Sequence, residues 1–465
     1  MKRTLRPTLP WQMLPTIITL AWPTMLEQLL QTAVQYIDTA MVGSLGTQAT
    51  AAVGATSTVS WLVGSTISAL AIGFLAFISQ ADGAGDHEKV SRASAQAVLA
   101  TTVCGLFFTV ICLGASPWVP VWMQVAPDTR ELAARYFFIL YAPMLFRTAS
   151  IVFGTMLRAA GDTKTPMVIG CGVNAVNVIL NFLLIYPTRQ MSFFGYEFTM
   201  IGAGMGVIGA GLASAIAFTV GGIAITLAVW RHPRLTFRGH SLKPDWAVLG
   251  PCLKVALPNA LQRFTTSLGY VAFASMINAL GDISTAAHTI ANTVESAFYI
   301  PGYGMQTAAA TLAGNALGAG DRKRIRDLGR MIIVLEVAMM LVSGGLLFVF
   351  APQMMGLFSK DAQVIMLGTM VLRMVAVSEP FYGVSVIIEG MLQGMGKTMI
   401  PLVCNIAGMW GIRVPLSALL APRFGLHGVW LAMALQLTVC GIFFLIRLHR
   451  KKWLPADMRE TSPRH

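Results

Sequence analysis

Leu157–Pro166 reads LRAAGDTKTP, and Leu392–Pro401, 235 positions later, reads LQGMGKTMIP. The same offset relates Pro23 in WPTML to Pro258 in LPNAL, and Ser44-Leu45-Gly46 to Ala279-Leu280-Gly281. It recurs between Gly83-Ala84-Gly85-Asp86 and Gly318-Ala319-Gly320-Asp321. Four local matches at one spacing identify an internal duplication. What lies between the matches decides the kind of fold. Apolar segments long enough to cross a bilayer, about 20 residues each, fall near 14–42, 50–80, 92–115, 132–158, 165–187 and 203–230. Six more fall near 248–280, 285–313, 328–351, 363–393, 398–420 and 426–447. These runs are continuously apolar rather than alternating, which argues against a β-barrel. The expected fold is an all-α polytopic membrane protein of about twelve transmembrane helices in two six-helix repeats.

Six is even, so both repeats enter the membrane from the same side. They are parallel repeats about an axis along the membrane normal, with a central cavity expected between them. The expected organisation is an N-terminal lobe over 1–230, a cytoplasmic linker over 231–247, a C-terminal lobe over 248–447 and a basic cytoplasmic tail over 448–465. The segment near 14–42 contains Glu27 and Asp38 and is too long for a signal-peptide core, so it reads as a retained first span.

Only 11% of the 465 residues are charged and 55% are hydrophobic, with a mean hydropathy of +0.67. Soluble domains carry about 25% charged residues, so the composition argues against a soluble enzyme, and the apolar content excludes a disordered chain. The net charge of +13 raises the question of nucleic acid. Of the 33 Lys and Arg, 24 lie at the termini, in the even-numbered loops or at the linker, and five lie in odd-numbered loops. Arg147, Arg263, Arg373 and Arg413 fall inside spans. That bias is the positive-inside pattern, which puts both termini in the cytoplasm and explains the basicity without nucleic acid. The six cysteines are scattered with no CxxC pair, so neither a disulfide framework nor a zinc site is suggested. No HExxH, GxSxG or P-loop pattern occurs, so hydrolysis and ATP-driven transport have no local support. No cofactor and no enzymatic activity are expected.

Acidic residues inside spans are costly and mark ion or substrate pathways. Glu27, Gln31, Gln35 and Asp38 recur at steps of four, four and three on the first helix, making one polar stripe. Asn174, Asn177 and Asn181 share a face of the fifth helix. His288, Asn292, Glu295, Tyr299, Tyr303 and Gln306 line the eighth, and Glu379, Tyr382, Glu389 and Gln393 the tenth. Carboxylates beside tyrosines suit a wet cavity for cationic aromatic compounds. The alternative is internal pairing, with Arg263, Arg373 and Arg413 neutralising some of these acids. For the asparagines the alternative is helix–helix glue. Glu336 belongs to no such stripe.

Tyr36–Gly43 (YIDTAMVG) followed by Leu45-Gly46 resembles the first-helix signature of the multidrug and toxic compound extrusion (MATE) family. Leu157–Pro166, Ile300-Pro301-Gly302 and Gly314–Gly320 (GNALGAG) are similar to patterns of the same family, and the resemblance runs from about residue 12 to 447. It implies a cation-coupling site of Asp38, Asn177 and Asn181, with Ser214 at a small-hydroxyl position on the sixth helix. Some relatives carry an aspartate where this chain has Asn181, which leaves open whether Na⁺ or H⁺ is coupled. Glu27, Gln31, Gln35, Glu295, Tyr299, Glu379 and Glu389 stand as substrate-cavity or second ion-site residues. The implied function is secondary active efflux in the bacterial inner membrane, exchanging Na⁺ or H⁺ for organic, cationic compounds by alternating access, with the protein a monomer. A lipid-linked precursor flippase of related architecture is the alternative; a membrane enzyme or scaffold is a third reading.

The charge bias makes a direct prediction. Reporters fused in the linker and after residue 447 read as cytoplasmic, and one near Gln190 reads as external; a cytoplasmic signal at Gln190 overturns the span order.

Overall fold

The computed structural model describes residues 10–193 and 196–449; most of the expected basic tail, 450–465, lies outside them. After a 3₁₀ turn at Pro10–Met13 come α1 (Leu14–Gly43), α2 (Thr47–Gly83), α3 (His87–Ala115), the short α4 (Val119–Trp122), α5 (Arg130–Tyr141), α6 (Met144–Ala159) and α7 (Lys164–Leu184). An antiparallel hairpin, β1 (Pro187–Phe193) and β2 (Tyr196–Ala203), leads into α8 (Gly206–Arg231). The second half has α9 (Trp246–Asn278), α10 (Asp282–Gly318), α11 (Arg322–Phe358), α12 (Ala362–Ala376) and α13 (Glu379–Gly394). It ends with α14 (Met399–Gly408), a π turn at Met409–Arg413 and α15 (Val414–His449).

Six helical stretches and two bent pairs, α5–α6 at 48° and α12–α13 at 54°, are long and apolar enough to cross a bilayer on composition alone. One of the six, Met399–Leu448, is broken at Gly425 and makes two passages. With α1, α9 and α10, whose polar residues lower their hydropathy, the described residues make the expected twelve passages. The bends fall inside the fourth and tenth spans, whose apolar runs continue across them.

The duplication is visible in the backbone itself. α2 and α10 begin 235 residues apart, as do α3 and α11, α6 and α13, and α7 and α14. The turns between them are set by glycines in the left-handed region at the same offset: Gly46 and Gly281 at φ 111° and 101°, Gly85 and Gly320 at 73° and 68°, Gly161 and Gly396 at 86° and 74°. A side chain there is strained, so glycine is required. At the second of these turns Asp86 N–H donates to Ala81 O and Asp321 N–H to Ala316 O, the six-to-one closure that ends a helix at a left-handed glycine. The last helix of each repeat also opens at such a glycine, Gly206 or Gly425, both at φ 56°. Here the offset is 219, because the hairpin lengthens the first copy.

The described residues form two compact units, one within 27–74 and 87–252, the other within 10–26, 75–86 and 253–449. In the first, α8 packs on α5, α6 and α7, and α3 packs on α6. In the second, α10, α11 and α13 pack around one another, and α15 covers α12 and α13. The beginning of α1 and the end of α2 belong to this second unit. Thr24 Oγ1 donates to Gly304 O at 2.9 Å, and Gln80 Nε2 to Gly394 O at 2.9 Å. Gly394 lets α13 lie against α10, for a Cβ there would stand 1.9 Å from Ala310 O. Small residues at such crossings are how membrane helices gain van der Waals contact where lipid supplies no hydrophobic drive. Large apolar side chains instead cover the outer faces: Val110 and Val342 are 72% and 65% exposed, unlike a soluble core.

The linker is tied to α3. Gln96 donates from Nε2 to Lys243 O at 2.8 Å and accepts from Asp245 N–H at 2.9 Å, while Arg92 donates to the Asp245 carboxylate. That bond holds the Asp245 carboxyl below the usual carboxylate range. A lowered folded value means the tie is complete above the ordinary carboxylate pKa and is lost as pH falls through the lowered one. Limited proteolysis of the linker is therefore expected to be faster in Asp245→Asn than in the unaltered protein at neutral pH. The difference closes on acidification below the lowered value.

Candidate functional site

In the first unit the polar stripe of α1 meets α7 and α8. Asn181 Nδ2 donates to Asp38 Oδ1 at 2.6 Å and to Asn177 Oδ1 at 3.1 Å, and Asn177 Nδ2 stands 3.2 Å from Ser214 Oγ. Asn177 and Asn181 are buried on consecutive turns of α7, and Asp38 is half-buried. The four residues implied for cation coupling thus come together. Asn174, one turn earlier, is half-buried and lies outside this set of bonds. Gln31 and Gln35 are exposed on α1 between Glu27 and Asp38.

Two features bear on what this cluster can hold. The Asn181 carbonyl oxygen is buried without a hydrogen-bond partner among the described residues. An orphaned acceptor beside a carboxylate is the donor set a small hard cation takes. The second feature is the Asn177 amide. Turned over, its nitrogen donates to the two Asp38 oxygens at 2.9 and 3.2 Å and its oxygen accepts from Ser214 Oγ at 3.2 Å, while the bond from Asn181 is lost and the two amide nitrogens stand 3.1 Å apart. With the nitrogen toward Asp38 a bare carboxylate is satisfied. With the oxygen there, two oxygens approach to a distance that needs a proton or a cation between them.

Glu27, at the other end of the stripe, is in a different environment. Arg158 Nη2 donates to both its oxygens at 2.6 and 2.7 Å, with the two side chains 17% and 18% exposed. A Cβ on Gly154 would touch the guanidinium at an ordinary 3.6 Å, and one on Gly170 would stand 3.4 Å from the Glu27 carboxylate. Sequence reasoning placed Arg158 among the loop charges, and nothing local links it to a residue 131 positions away.

The second unit carries the tyrosines and most of the acids. Tyr303 and Tyr382 share a hydroxyl hydrogen bond of 2.7 Å, and Tyr299 packs edge-on to both rings at 5.8 and 5.6 Å. His288 accepts from Trp430 Nε1 at 3.2 Å and packs edge-on to Phe273 and Trp430, a structural role. Glu389 is fully engaged: Gln262, Gln393 and Asn405 donate to it at 2.7, 3.1 and 3.2 Å. Arg263 lies within electrostatic range of Glu389 while its Nε donates to Asn259 Oδ1 at 3.0 Å. Glu295 is 5% exposed and interacts electrostatically with Arg413, which sits on the π turn and stacks over Tyr270 and Phe273. Glu379 is 1% exposed, and neither of its oxygens has a hydrogen-bond partner among the described residues.

The Glu27 and Glu389 clusters are one site in two copies. At the 235 offset Glu27 becomes Gln262, Gly154 becomes Glu389, Arg158 becomes Gln393 and Gly170 becomes Asn405. The first copy neutralises its carboxylate with a guanidinium and the second with three amides. The pattern is invisible until the contacts are known.

Comparison with known proteins agrees with the duplication. The family model described as MatE matches residues 23–183 and 258–419, one match in each half. A probable multidrug resistance protein NorM of Thermotoga maritima is 26% identical over 439 residues, 94% of this chain and 92% of that protein. A protein of the same description from Brucella suis is 28% identical over 93% of this chain and 92% of its own length. A solved structure, described as the outward-facing conformation of a multidrug resistance MATE family transporter of the MOP superfamily, superposes with a TM-score of 0.86. It is 22% identical and covers 97% of this chain and 100% of its own.

The ion pair of the first copy has a measurable weight. Glu27→Gln strands the Arg158 charge and is expected to lower stability by about 1–3 kcal/mol, read as an earlier thermal unfolding midpoint of the purified protein. Adding Arg158→Gln recovers most of the loss, because no charge is then left uncompensated.

Proposed function

The chain belongs to the MatE family, whose members are transporters rather than enzymes, and from that premise we propose that it is a secondary active multidrug exporter of the inner membrane. In this reading Na⁺ or H⁺ enters through the Asp38 site while organic cations leave, by alternating access. The observation that carries it is the Asp38 cluster: a carboxylate held by one end of Asn181, whose other end is an acceptor with no hydrogen-bond partner among the described residues, with the Asn177 amide and Ser214 beside them. The relatives named multidrug resistance proteins support the cargo class.

The chemistry follows from charge balance. With Asp38 charged, Asn181 donates to it, and Asn177 can too with its nitrogen inward. A proton or Na⁺ removes the charge and favours the Asn177 carbonyl turned inward, with Ser214 Oγ as partner of the amide's other end. A conformational equilibrium shifts only by the difference in affinity between its states, and the Asp38 charge is what supplies that difference. The tyrosines of α10 and α13, Tyr299, Tyr303 and Tyr382, offer aromatic faces to a cation, and Glu295 and Glu379 stand near them.

Asp38→Asn keeps the shape and hydrogen bonds but carries neither a proton nor a charge. Gradient-driven efflux of a fluorescent cation from proteoliposomes, tested under Na⁺ and pH gradients separately, is expected to fall by at least about tenfold, with correctly inserted protein unchanged. Unaltered rates in the variant would place coupling elsewhere.

A further inference from the structure

We propose that Glu336 is a second proton-binding site, separate from Asp38, which holds a proton in this conformation and gives it up when α10 moves away from α11. This inference rests on the antiport reading above.

Glu336 lies in the middle of α11, completely buried, and neither carboxyl oxygen has a hydrogen-bond partner among the described residues. Its neighbours along the helix include Ile332, Ile333 and Met340. A bare carboxylate in such surroundings costs several kcal/mol, and a group with nothing to pair it takes up a proton instead. Among the described residues, the elements packed against α11 supply no compensating cation at the carboxyl. α10 brings Glu295, Tyr299 and Tyr303; α13 brings Glu379 and Tyr382. α12 brings Arg373, whose Nε donates to Phe348 O and whose guanidinium stacks over that ring. The 3₁₀ turn Pro10–Met13 brings no ionisable group.

The packing is shaped around the acid rather than merely tolerating it. A Cβ on Gly302 of α10 would stand 2.6 Å from Glu336 Oε1, and one on Gly383 of α13 would stand 3.0 Å from Glu336 Cγ and 3.4 Å from Oε1. Two helices thus present bare backbone to one side chain. An inert filler needs no such cradle, since leucine or methionine occupies a buried carboxyl's place at no electrostatic cost. Gly302 follows Pro301, which has no N–H for the helical bond, so the wall of the cradle is where α10 is weakest. Displacement there opens the carboxyl. Glu379, one turn before Gly383 on α13, lies within electrostatic range and opposes a second negative charge beside it, so the proton is held while the cradle is closed. When the cradle opens to water, the O–H bond at Glu336 breaks, the proton passes to water, and Glu336 is left as the carboxylate.

The test uses the full chain in lipid. Infrared difference spectra between acid and alkaline buffer report the carbonyl stretch of protonated carboxylic acids. Glu336→Gln is expected to remove one such band, and to lower pH-gradient-driven efflux of a fluorescent cation by about tenfold while cation binding at equilibrium persists. Glu336→Met, which preserves burial, is the second variant and is expected to behave alike; if the Gln variant does not insert, it decides. A band that survives both substitutions overturns the proposal. So does loss of the band with wild-type efflux and wild-type pH dependence, which would make Glu336 a fixed, structural acid. An unaltered protein that moves no cation under any gradient defeats the antiport reading instead. A Glu336 band that still titrates there supports the proton site on its own.

Discussion

Hydrocarbon gives a charged side chain no water, and every ionisable group inside this helical bundle has to be neutralised by something the chain itself provides. The protein uses each available means. Glu27 takes a guanidinium from Arg158, and Glu389 takes three amide donors. Arg413 spreads its charge over Tyr270 and Phe273 and faces Glu295 electrostatically. Glu336 and Glu379 have no hydrogen bond to either carboxyl oxygen among the described residues. The helices are placed accordingly: glycines bring backbones together where a carboxyl must be enclosed, and polar stripes decide which face of α1, α7, α10 and α13 turns inward. Apolar side chains fill the remaining faces.

Much of this was legible before any coordinates. The helical passages announce themselves by length and apolarity, and the 235 offset survives in sequence because turns that need a left-handed glycine cannot easily change. The α1 stripe and the α7 asparagines were readable from the 3.6-residue period alone. What was not legible has a common cause. The Glu27–Arg158 pair, the amide cage of Glu389 and the cradle of Glu336 join residues far apart in sequence, so no local window contains them. Glu336 sits among aliphatic residues and makes no stripe of its own. The hairpin at 187–203 is short and carries no spanning signal, and the bends at 142–143 and 377–378 interrupt otherwise continuous apolar runs.

Duplication gave two copies of one six-helix scaffold, and the copies have since been put to different electrostatic uses. The positions corresponding to Asp38, Asn177 and Asn181 in the second half are Phe273, Ile412 and Leu416, so the cation-type cluster exists in the first half alone. Conversely, Glu295, Glu336 and Glu379 correspond to Ser60, Thr101 and Met144 in the first half. The first unit therefore keeps its chemistry at one carboxylate dressed with amides, and the second distributes it over several buried acids and tyrosines. Two lobes with different chemistry suit a transporter better than two alike. If both held the same ion with the same affinity, occupancy would not tell one lobe from the other, and a ligand with no differential affinity shifts nothing. No buried acid is shared by the two halves: Glu27 and Glu389 lie in the same corner of the repeat at different positions, each with hydrogen-bonded partners, whereas Glu336 and Glu379 have none at their carboxyl oxygens among the described residues. A buried acid with fixed partners keeps its charge, and one without them trades charge for a proton.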